Sequence, residues 1–62
     1  MSIQQMLANL IEWGYSQKSI AEKVGTSQPN IHRALKGSKV SYTIGKAIEN
    51  LHRVALEAQS AA

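Results

Sequence analysis

The chain has 62 residues, no cysteine and a net charge of +3. That length admits one domain, near the lower limit at which a single core sustains a fold alone, and the lack of cysteine excludes a disulfide framework or a thiolate metal site. No apolar run approaches the roughly 20 residues of a membrane span and no signal-peptide pattern opens the chain, so a cytoplasmic protein without membrane contact is expected.

The first helix is announced by Ser2 and Gln5, which have the spacing of a capping box, with Met1 and Met6 placed to close a hydrophobic staple. Ile3, Met6, Leu7, Leu10 and Ile11 then recur at helical spacing, and Gly14 is a natural stop. Trp13 and Tyr15 are expected to pack under the corner that follows, or else to stand exposed at an interface. Ser16 can cap a second helix reaching about Val24, with Ile20, Ala21 and Val24 inward, and Gly25 supplies a turn. Ser27 caps a third helix from Gln28 to about Lys36. Pro29 is tolerated there because the first helical turn has no internal partner for its missing N–H. Ile31, Ala34 and Leu35 form its buried face, and Gly37 ends it.

Ser41 looks like a fourth cap. From Tyr42 to about Gln59, the residues Ile44, Ala47, Ile48, Leu51, Val54, Ala55 and Ala58 line one side of a long amphipathic helix. Gly45 interrupts it, at a cost of about 1 kcal/mol relative to alanine, which suggests close approach of another backbone. Ser60, Ala61 and Ala62 are expected to fray. His52 is read as a polar-face residue of this helix. The reading is all-α, with four helices and no strand signal.

Charge is unevenly placed. From Ser16 to Lys46 the chain carries Lys18, Lys23, Arg33, Lys36, Lys39 and Lys46 against Glu22 alone, a net +5. The remainder, with Glu12, Glu49, Glu57 and Arg53, is net −2. A basic segment between acidic flanks suits a polyanionic partner, although a solvated lysine-bearing surface fits the charge alone equally well.

The side chains left outward on the third helix are Gln28, Pro29, Asn30, His32, Arg33 and Lys36, with no large apolar residue and only positive charge. Two short helices meeting at a steep angle need a small residue at the contact and a flexible one at the corner, places filled by Ala21 and Gly25. The segment Ser16–Gly37 resembles the helix-turn-helix of the phage lambda-repressor and Cro family, within the Xre-type regulators. Gln17, Ala21, Gly25, Gln28 and Ile31 carry the likeness, in the pattern Q-x3-A-x3-G-x2-Q-x2-I. It covers about a third of the chain strongly. The resemblance implies a lambda-repressor-like domain in a bacterial or phage-infected cytoplasm, built here from four helices with a long C-terminal one.

It also implies that Gln17 contacts a phosphate and braces Gln28, and that Gln28 pairs with adenine. The second role agrees with amide chemistry, since one glutamine can donate to N7 and accept from N6 at once. Arg33 can reach guanine or a phosphate, while Pro29 and Asn30 are further base-side candidates. Lys18, His32, Lys36, Lys39, Ser41 and Tyr42 are candidates for the phosphate backbone, through charge, hydroxyls and helix N–H groups.

Family members of this kind usually have five helices, and here the fourth simply continues. Leu51, Val54, Ala55 and Ala58 are therefore expected either to pair with a second copy or to fold back over Leu7 and Leu10. The expected function is a dimeric repressor on a palindromic operator of double-stranded DNA. The alternative is a protein-interaction module, such as an antitoxin or adaptor. An enzyme lacks its parts: no cysteine, no aspartate, no glycine-rich phosphate loop and no carboxylate pair near a histidine. With His32 and His52 twenty residues apart, no metal, cofactor or small-molecule ligand is expected.

Overall fold

A computed structural model describes residues 1–61. Among them are four helices: α1 (Ile3–Glu12), α2 (Gln17–Val24), α3 (Gln28–Leu35) and α4 (Tyr42–Ala61). Each begins where a serine hydroxyl accepts a backbone N–H three residues on. Ser2 accepts from Gln5 at 3.1 Å, Ser16 from Ser19 at 3.0 Å, Ser27 from Asn30 at 3.4 Å and Ser41 from Ile44 at 3.3 Å. These bonds satisfy donors that a helix start leaves orphaned. The reciprocal capping box expected at Ser2 forms instead at Ser16, whose N–H donates to Ser19 Oγ at 2.9 Å. Met1 is 71% exposed and closes no staple over Met6; its sulfur accepts from the Asn9 amide instead.

The turn between α2 and α3 is tight because Gly25 takes a left-handed conformation (φ 86°) and Thr26 donates its N–H back to the Ala21 carbonyl. The α1 and α3 ends close by similar backward bonds, from Tyr15 to Leu10 and from Ser38 to Arg33.

The core gathers the inward faces of all four helices. Leu7, Leu10, Ile20, Ile31 and Ile48 are fully buried, joined by Ala21, Val24, Ala34 and Ala55. α4 packs against α1 and α2, while α3 packs against α1 and α2. A further tie holds α3: Gln4 Nε2 donates to the Leu35 carbonyl at 2.9 Å, fastening the last turn of α3 to the first turn of α1. A 20-residue helix is about 30 Å long, so α4 alone accounts for the longest dimension of 31 Å. No described helix is long and apolar enough to cross a membrane.

Four further expectations change. His52 is not on the polar face: it is 7% exposed, stacks on Trp13 at 5.4 Å between ring centroids, and accepts from Asn9 Nδ2 at 3.2 Å. An imidazole there fills the seam between α1 and α4 while Asn9 satisfies its ring nitrogen. Gly45 meets no foreign backbone, since a Cβ there would touch only the Val40 side chain at 3.5 Å and that of Ile3 at 3.9 Å. Ser60 and Ala61 remain helical, and Ala62 lies outside the described residues. Ala55, expected among residues available to a second copy, is buried at 4% exposure in the chain's own core.

Candidate nucleic-acid interface

The α3 cap and first turn decide which side chains face outward. With Ile31 and Ala34 turned into the core, the 3.6-residue period leaves Gln28, Pro29, Asn30, His32, Arg33 and Lys36 exposed. The Pro29 ring, second in the helix, needs no internal hydrogen-bond partner for its nitrogen. Gln17, the first residue of α2, is half-exposed beside this face. Gln17, Gln28, Pro29, His32 and Arg33 together line one open hollow.

Two polar chains organise this surface. Gln17 Nε2 donates to His32 Nδ1 at 3.3 Å, tying the start of α2 to the middle of α3. The expected brace from Gln17 to Gln28 is therefore made to His32, and among the described residues the Gln28 amide makes no side-chain hydrogen bond. On the other flank, Asn30 Nδ2 donates to Thr26 Oγ1 at 2.9 Å, and Arg33 Nη2 donates to Asn30 Oδ1. Both ends of the Asn30 amide are thus engaged within the protein, and its visible role is to hold Arg33.

Arg33 borders a second hollow of about 250 Å³ between α3 and the start of α4. Its floor is Ile31, Val40 and Ile44, and its rim includes Thr26, Asn30, Ser38, Lys39 and Ser41. The Ser41 hydroxyl is already occupied by the α4 cap. Tyr42, 80% exposed, stands just beyond it. Lys18 and Lys36 are exposed outside both hollows.

Ion pairing separates the two halves of the molecule. Among the described residues, Lys46–Glu49 (3.6 Å) and Arg53–Glu57 (3.8 Å) are the ion pairs, and both lie on α4. Lys18, Lys23, Arg33, Lys36 and Lys39 have no carboxylate partner among those residues. A surface of unneutralised cations beside an unengaged amide can accept phosphates and still read a hydrogen-bonding edge.

Thr26 and Ser38 also border this surface, though neither is expected there from the sequence. The four-residue step from Thr26 to Asn30 across a helix start was the available signal for the first. Ser38 reaches the rim only because the chain doubles back after Gly37, which no spacing announces. Of the α4 residues expected at an interface, Leu51 is half-buried against the core, whereas Val54 (54%) and Ala58 are exposed. Leu56, not singled out from sequence, is 46% exposed.

No protein-family model, curated protein or solved structure matches this chain.

Proposed function

We propose that this chain is a sequence-specific regulator of transcription that binds double-stranded DNA, in the manner of a small Cro-like repressor. α2 and α3 act as a helix-turn-helix, α3 enters the major groove, and two chains occupy an inverted repeat with half-sites about 34 Å apart. Repression follows from occupying promoter DNA. The observation that carries the reading is the exposed side of α3, where an unengaged Gln28 amide shares a hollow with Arg33, and where Arg33, like Lys36 and Lys39 further along the chain, has no carboxylate partner among the described residues.

Roles divide by chemistry. Gln28 pairs with a base edge, and Pro29 offers an apolar contact to a thymine methyl. Arg33, steadied by Asn30, reads guanine or clamps a phosphate. Gln17, Lys18, His32, Lys36 and Lys39 set the register on the backbone, with the exposed start of α4 at Tyr42 adding a further contact.

Selection from random duplex DNA with purified protein tests this. A palindromic motif is expected, and Gln28→Ala should weaken the selected site by about 1–3 kcal/mol while relaxing one position in each half. Recovery of no enriched sequence at low salt overturns the reading. The exposed Val54 and Leu56 favour a second reading, a protein-interaction module. It requires that a Gln28→Ala, Arg33→Ala double variant keep its activity while Val54→Asp loses it.

A further inference from the structure

α4 carries two apolar seams, and the chain covers one of them. Ile44, Ile48, His52 and Ala55 face the core. A second row, Ala47, Leu51, Val54, Ala58 and Ala61, steps alternately by four and three residues, the spacing of a helix seam that meets another helix. Ala47 and Leu51 are partly buried, but Val54, Ala58 and Ala61 are exposed. Three alanines in five positions let two backbones approach closely, because interaxial distance follows side-chain size.

At its N-terminal end this row opens into a hollow of about 360 Å³ lined by Lys23, Ala47, Asn50, Leu51 and Val54. Lys23, from the last turn of α2, is the charged residue of that hollow and has no carboxylate partner among the described residues. Glu57 lies three residues beyond Val54 in the other direction, exposed and joined to Arg53 at 3.8 Å.

We infer that the occupant of this row is a second copy of the chain, packed antiparallel with the two-fold axis at Val54 and with Glu57 of each copy meeting Lys23 of the other. Symmetry makes the match. About an axis at Val54, a residue three positions after it faces the partner's residues three and four positions before it. Glu57 then sits opposite Leu51 and Asn50 of the partner subunit, at the hollow that Lys23 borders. A parallel pair would instead set Glu57 against its own equivalent and leave Lys23 unmatched. The inference rests on the proposed pairing of chains and supplies its geometry; base recognition by Gln28 is independent of it. One helix row with its flanking charges makes a small interface, so association is reversible and concentration-dependent.

Charge exchange tests it, read by sedimentation equilibrium without DNA from about 10 μM to 1 mM, the range suited to a small interface. The native chain should interconvert between monomer and dimer, and Val54→Asp should be monomeric. Lys23→Glu and Glu57→Lys should each weaken the dimer about tenfold, because two-fold symmetry places the repulsive contact twice. Mixing these two variants should restore association as a heterodimer in which both contacts are again opposite in sign. Unchanged helical circular dichroism checks that each variant folds. A native chain that stays monomeric throughout overturns the pairing itself. A dimer indifferent to both charge changes, or unrestored by mixing, overturns this geometry and leaves the pairing standing. Loss of an enriched half-site on Gln28→Ala, measured separately, reports on base reading whatever the state of pairing.

Discussion

Gly25 and Gly45 are the same residue under opposite demands. Gly25 has open space where a Cβ would stand, but its φ of 86° penalises any side chain. Gly25→Ala should cost about 1–2 kcal/mol through the backbone alone. Gly45 lies in ordinary helix with room for a methyl against Val40 and Ile3. Gly45→Ala should therefore stabilise the protein by about 0.5–1 kcal/mol. Thermal unfolding separates the pair, since 1 kcal/mol moves the midpoint of a domain this small by about 4–8 °C. A drop for Gly45→Ala would mean that the apparent room is not there. His52 illustrates a different limit. Its imidazole is buried with Asn9 as hydrogen-bond partner, so His52→Leu should cost about 0.5–1.5 kcal/mol by removing that acceptor, the Asn9 amide keeping the Met1 sulfur as its other one. The spacing of the last helix sets His52 on the same face as Ile48 and Ala55, but its polar type argues for the surface, and the Asn9 amide that satisfies it there lies 43 residues earlier on α1.

At the scale of elements, the helices were legible because their ends are written locally. Serine caps and glycine stops act within three to five residues, and the boundaries of α1, α2 and α3 follow from them to within one residue. Contacts between helices were legible only where hydrophobic period shows a face. The bond from Gln4 to the Leu35 carbonyl has no such signature, since a glutamine on an exposed face has many uses. It predicts a local effect: Gln4→Ala should cost about 0.5–1.5 kcal/mol. Faster amide hydrogen exchange should follow at Lys36–Ser38, where α3 ends. Uniform exchange along the chain would show instead that this end is held by its backward backbone bonds alone. The candidate interface was half legible in the same sense. Its outward residue types follow from period, but the partners of Gln17 and Asn30 depended on where α2 comes to rest against α3.

At the scale of the whole molecule, charge pairing among the described residues divides the surface in two, with pairs on α4 and cations without a carboxylate partner around α2 and α3. For the proposed DNA complex, this makes affinity fall with salt at a log–log slope near the number of phosphates engaged. Lys36→Ala and Lys39→Ala should each flatten that slope by about one and leave the selected motif unchanged. Arg33→Ala should alter the motif if the guanidinium reads a base, and otherwise flatten the slope alone. The net charge of +3 alone does not show this, because it sums the neutralised α4 with the cations of α2, α3 and the loop that follows.

The stack of Trp13 on His52 also equips the protein with an optical reporter. Trp13 is its sole tryptophan and lies outside both hollows of the α2–α3 face. Its emission therefore follows the seating of α1 on α4 without any label. A ligand arriving at α3 leaves that signal untouched unless it disturbs the seam, so docking and internal loosening can be told apart in one cuvette.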